Sequence, residues 1–128
     1  MKLHKPIKLD SAKEYGFGCK YPEWIRKWLK KDSHDGTDWS CPKGTSVFSA
    51  SVTGEYVVRV GQDKSGQHYI CTYLLTENNN VFFLIYRHLM DVVVKVGDFI
   101  KGGEQIGSVA VDHVHFSVYG AINPKQFI

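Results

Sequence analysis

The chain has 128 residues with a formal net charge of +3, and 43% of its residues are hydrophobic against 23% charged. That length and balance suit one globular domain and argue against a disordered tail or a multidomain enzyme. The longest apolar run, Val81 to Tyr86, falls far short of the roughly 20 residues a membrane helix needs. The positive charge is too weak to argue for nucleic acid, and no nucleic-acid motif accompanies it.

Residues 1–33 hold nine lysines and arginines and two of the three tryptophans. Within them Pro22 to Lys31 reads as a short helix. Trp24, Ile25, Trp28 and Leu29 form one apolar face, and Arg26, Lys27, Lys30 and Lys31 the other. So short a helix needs tertiary packing. Residues 1–33 are therefore expected to be an N-terminal extension whose basic amphipathic helix packs on the domain formed by 34–128. His34 to Asp38 is expected to be loop, because Gly36, Pro42 and Gly44 interrupt any periodicity. Strands are expected at Val47–Val52, Glu55–Val60, Gln67–Leu75, Val81–His88, Val92–Val96, Phe99–Ile100, Gln105–Val111 and His113–Tyr119. Asn78 to Asn80 is the turn of a hairpin. Short strands at this spacing with glycine turns predict a mainly antiparallel β-sandwich or barrel.

Cys19, Cys41 and Cys71 are odd in number and fit no zinc-ribbon or redox spacing, so reduced thiols are expected. The six histidines are more informative. His113 and His115 alternate along a strand and share one face, about 7 Å apart. His34 and Asp38 flank Gly36. Zinc takes imidazole and carboxylate ligands, and a catalytic zinc commonly has three protein ligands and one open position. His34, Asp38 and one of the 113/115 pair supply that count. The other histidine of the pair and His88 remain for acid–base work near neutral pH.

Several runs of residues, in order, resemble the lysostaphin-like (LytM-type) zinc endopeptidases. His34 to Ala50 is similar to their H-x-G-x-D, P-x-G-T-x-V motif. Tyr86-Arg87-His88-Leu89 resembles Y-x-H-L. Val94 to Gly107 resembles V-x-V-G-D followed by spaced glycines. His113 to Val118 resembles H-L-H-F-E-V, and Asn123-Pro124 resembles the closing N-P. The resemblance implies an antiparallel β fold with the site in an open groove. It implies zinc, one ion per chain, held by His34, Asp38 and His115, with His88 and His113 as the catalytic pair. It implies hydrolysis of a peptide bond in the stem or cross-bridge of bacterial peptidoglycan, by a monomer.

Two departures stand out. The loop that precedes H-x-H in the family is shortened here, which predicts a more open cleft, and Ser117 replaces the usual Glu. His4 and His68 match no motif. Since Met1 to Pro6 lead into no apolar leader, the resemblance suggests a phage lysin or virion-associated wall-piercing enzyme made in the host cytoplasm. A secreted bacterial enzyme with its leader removed is the competing origin. A non-catalytic wall-binding or virion module of the same fold is the alternative function. A biotinyl- or lipoyl-type carrier would share the V-x-V-G-D hairpin but has no use for the histidines.

Overall fold

A computed structural model describes residues 3–9, 14–15, 37–75 and 81–118. The helix expected at Pro22–Lys31, together with Cys19, His34 and the Asn123-Pro124 pair, lies outside the described residues. The described residues form nine strands: β1 (Glu14–Tyr15), β2 (Thr37–Ser40), β3 (Ser46–Phe48), β4 (Glu55–Gln62), β5 (His68–Leu75), β6 (Val81–Val92), β7 (Phe99–Ile100), β8 (Gln105–Val109) and β9 (His113–Val118). They join into one antiparallel sheet in the order β1-β2-β9-β6-β5-β4-β7, with β8 bridging β3 and β6. The described residues are mainly antiparallel β, as the glycine-punctuated strands predict.

One face of this sheet is the core. Trp39, Val57, Ile70, Leu74, Leu84, Tyr86, Leu89, Val114, Phe116 and Val118 are buried there. Val47 of β3, Ile106 and Val109 of β8, and Leu3 and Ile7 join the same cluster. Residues 3–9 are tied in by backbone bonds from His4 N–H to the Ala50 carbonyl (2.9 Å) and from Phe48 N–H to the Pro6 carbonyl (2.7 Å). Strand alternation then sends every second side chain to the opposite, open face. On β9 Val114, Phe116 and Val118 face the core, leaving His113, His115 and Ser117 outward. On β2 Thr37 and Trp39 are buried, leaving Asp38 and Ser40 outward.

Three expectations are corrected. Asp38 is not in a loop: Thr37 and Trp39 fill the core and pair with Phe116 and Val114, which makes 37–40 a strand. Val92–Val96 is not a strand of its own. β6 ends at Val92, and the chain then turns, with Gly97 at φ 94° and Asp98 accepting the Lys95 N–H at 2.9 Å. Gly97 fits that left-handed conformation because it has no Cβ. The strand expected over Val47–Val52 is shorter: only Ser46–Phe48 pairs with β8, with a register shift between Val47 and Phe48.

Candidate active site

The open face of β2, β9 and β6 gathers the histidines. Asp38 and His115 are direct cross-strand partners. Their side chains meet at 2.8 Å, Nδ1 to Oδ1. His115 is 7% exposed and Asp38 half-buried, so this contact is partly shielded from solvent. Arg87 is the register partner of His115 on the other side, in β6.

His88 reaches the same face through an irregularity. Between the pairs Ile70–Tyr86 and His68–Leu89, β6 has one residue more than β5. This β-bulge reverses the alternation, so that Tyr86 and Leu89, three apart, both face the core. His88, the one described non-glycine residue with positive φ (68°), absorbs the bend. A β-carbon in that region costs on the order of 1–2 kcal/mol. Strain of this kind is commonly stored at functional sites. The bent backbone is held by the Ala110 N–H, which donates to the His88 carbonyl at 2.8 Å.

The bulge sets the His88 ring 4.7 Å from that of His113 and 6.2 Å from that of His115, both edge-on. Each outer histidine is oriented through Nδ1. Gln67 Oε1 lies 2.7 Å from His88 Nδ1, and Asp112 Oδ1 lies 2.8 Å from His113 Nδ1. Both partners are acceptors, so Nδ1 carries the proton in each ring and Nε2 is the basic nitrogen. Burial, then the neighbouring His113 and His115, push the His88 pKa down to about 4, against the pull of Asp38 and Asp63. His88 is therefore a neutral imidazole at pH 7.

Of the residues expected at the site, Asp38, His88, His113 and His115 come together, and His34 lies outside the described residues. Among the described residues no three His, Cys, Asp or Glu side chains cluster closely enough to hold a metal. Asp38 and His115 do supply two donors of the right chemistry. Two atoms bound to one tetrahedral zinc sit about 3.3 Å apart, so this pair needs to part by only about half an ångström. The chemistry of these two donors thus fits a zinc site; the third expected ligand, His34, lies outside the described residues. Cys41, just after β2, is not a competing ligand: it belongs to the core cluster with Trp39, and burial pushes its thiol up. Cys41 and Cys71 are both free thiols.

Gln67 and Asp112 were not among the expected site residues. Gln67 is 21 positions from the histidine it orients, so no local spacing reveals it. Asp112 stands directly before His113, where its adjacency to H-x-H was the available signal. The connection from β8 to β9 is only Ala110 to Asp112. His4 (bonded to the Lys5 carbonyl) and His68 (beside Gln62) take no part in the cluster.

Residues 32–126 match the family model of peptidase family M23. The chain is 35% identical over 92 residues to the peptidoglycan DD-endopeptidase ShyB of Vibrio cholerae, covering 66% of this chain and 20% of that protein. It is 26% identical over 135 residues to an uncharacterised metalloprotease of Buchnera aphidicola, covering 94% of this chain and 33% of the relative. The fold superimposes on the antimicrobial peptidase lysostaphin of Staphylococcus simulans with a TM-score of 0.72 and 28% identity, over 99% of this chain and 54% of that one. The chain thus spans about a fifth of ShyB and a third of the Buchnera protein. With the family match covering well over half of its length, the chain belongs to peptidase family M23.

Proposed function

We propose that this chain is a zinc-dependent endopeptidase that cuts peptide bonds in the stem or cross-bridge of bacterial peptidoglycan. The observation that carries this reading is the convergence of His88 and His113 on the Asp38–His115 pair, with His88 held neutral. Membership of a peptidase family supports the reaction class. The relative named as a peptidoglycan DD-endopeptidase supports the substrate, and the one named as a metalloprotease supports the metal.

His34, Asp38 and His115 would hold the ion. When bound, zinc lowers the pKa of water to about 7 and polarises a peptide carbonyl. The remaining steps belong to the protein. His88, whose Nδ1–H is committed to Gln67, offers the Nε2 lone pair to take the proton of the attacking water. The hydroxide oxygen bonds to the carbonyl carbon, and the carbon–nitrogen bond then breaks. Nε2 of His113, whose ring is fixed by its Nδ1–H bond to Asp112, is placed to accept the proton that His88 took from the water and to pass it to the departing amine. The short Ala110–Asp112 connection supports an open cleft able to take a branched wall peptide. The proposed place of action is the bacterial wall, whether the chain reaches it as a phage lysin or as an exported bacterial enzyme.

The test is digestion of purified peptidoglycan of several wall chemotypes by zinc-loaded protein, with products read by mass spectrometry. New amine termini appear with wild type and not with His113→Ala if the proposal holds. Intact wall from every chemotype, with zinc bound, would favour the wall-binding module.

A further inference from the structure

Beside the histidine cluster the open face holds a second feature that the proposed hydrolysis does not use. An open cavity of about 300 Å³ is lined by Arg59, Tyr69, Cys71, Ile85 and Arg87. Its position follows from the register. Arg87 is the cross-strand partner of His115 and the chain neighbour of His88, so the cavity begins one strand from the site. Arg59 opposes Cys71, and Cys71 opposes Ile85, carrying the floor across β4, β5 and β6.

The cavity has a defined platform. The Tyr69 ring lies over Gly61 of β4, so closely that a β-carbon there would stand 2.6–2.9 Å from its ring and hydroxyl atoms. Only a glycine at position 61 lets the ring take this pose. The two guanidiniums sit against that ring, Arg59 at 6.0 Å and Arg87 at 5.7 Å from its centroid. Neither arginine forms an ion pair within the described residues. The two carboxylates that act on the neighbouring His88 are engaged elsewhere: Asp38 with His115, and Asp63 with Ser65 and Gln67. Cys71 does not balance the charge either, because burial pushes its thiol up. Two positive forks thus share one aromatic shelf, with an apolar floor of Ile85, and among the described residues no carboxylate forms an ion pair with them.

We propose that Arg59 and Arg87, braced by Tyr69, form a subsite that takes a free carboxylate of the peptide substrate and positions the scissile bond against His88 and His113. A guanidinium presents a planar fork that matches a carboxylate and stacks on aromatic faces, so a pair of them selects a carboxylate over a neutral amide. The inference rests on the peptidase reading for its substrate, but the charge geometry stands apart from the catalytic groups. It makes the arginines specificity determinants: wall peptides with free carboxylates would be preferred over amidated ones.

The experiment titrates zinc-loaded protein by calorimetry with an uncross-linked tetrapeptide bearing two free carboxylates, and with its diamide. Wild type should bind the dicarboxylate about tenfold more tightly. The R59Q/R87Q variant should bind both alike, and R59K/R87K should recover part of the preference. Zinc content and thermal midpoint, measured on each variant, separate loss of the subsite from loss of the fold. Equal affinities in wild type, or a preference that survives in R59Q/R87Q, would overturn the subsite. Preference for the dicarboxylate without any wall cleavage would support the subsite and overturn the hydrolase proposal. Wall cleavage without that preference would do the reverse.

Discussion

Tyr86→Phe removes one oxygen from the centre of a buried network. The Tyr86 hydroxyl accepts the Ala50 N–H at 2.9 Å and donates to Glu55 Oε1 at 2.7 Å. Glu55 Oε2 also accepts from Ser49 Oγ at 3.0 Å and from the Ser51 N–H at 3.3 Å. Tyr86, Glu55 and Ala50 are all at 0% exposure, so no water replaces a lost partner. Phenylalanine keeps the ring and leaves no cavity. The cost is then one stranded backbone N–H, about 1–3 kcal/mol, and one lost hydrogen bond to a carboxyl group, about 1 kcal/mol. We expect a loss of about 2–4 kcal/mol in urea unfolding, or roughly 8–15 °C in thermal midpoint for a chain of this length. The pH dependence gives a second check. Burial is the largest influence on Glu55 and raises its pKa, outweighing the hydrogen bonds that lower it. A raised carboxyl pKa means the folded chain holds this proton more tightly than the unfolded chain. Its contribution to stability is therefore full below the unfolded value of about 4.3 and declines as pH rises through the folded one. Glu55→Gln should remove that decline, so the variant gains on wild type as pH rises from 4 to 7. A Tyr86→Phe loss below about 0.5 kcal/mol, or a Glu55→Gln variant that loses ground with rising pH, would refute this reasoning.

At His88 the usual order of glycine and alanine should invert. In an ordinary strand Gly is about 0.5–1 kcal/mol worse than Ala, but at φ 68° the β-carbon is the strained element. His88→Gly should be more stable than His88→Ala by about 1 kcal/mol in urea unfolding while both lose turnover; an alanine variant as stable as the glycine one would contradict the bulge assignment. Gly107→Ala places a β-carbon against the Asp91 backbone carbonyl across the β6–β8 pair. Backbone cannot swing aside as a side chain can, so a loss of about 1–3 kcal/mol is expected from thermal unfolding, and a neutral result would contradict it. Gln67→Ala frees the His88 ring without touching it. It should lower kcat more than KM on a soluble wall fragment, with Gln67→Glu restoring part of the rate; a pure KM effect would argue against an orienting role.

The strands were legible where alternation was clean. Val114, Phe116 and Val118 declare one face of β9, and the same alternation places His113 and His115 together on the other. The Thr37–Ser40 strand was hidden because it is four residues long and bracketed by Gly36 and Pro42, although Thr37 and Trp39 are natural core-facing strand residues. The valine run after Val92 misled for the opposite reason. β-Branched residues favour strands only when a neighbour covers them, and Val93 and Val96 are 65% and 62% exposed on a turn. His88 was found by its motif, but its orientation was not predictable. Plain alternation from Tyr86 would send it into the core, and only the extra residue in the ladder turns it outward. The arginine shelf shows the same limit: Arg59, Tyr69 and Arg87 meet through strand pairing and share no spacing in sequence.

The claim that Asp38 and His115 hold a metal while His113 moves protons is tested most directly by zinc content measured beside wall-peptide turnover. Wild type should carry one zinc per chain and release new amines. Asp38→Ala should lose both zinc and turnover, whereas His113→Ala should keep zinc and lose turnover. Full zinc occupancy in Asp38→Ala, or undiminished turnover in His113→Ala, would contradict the account.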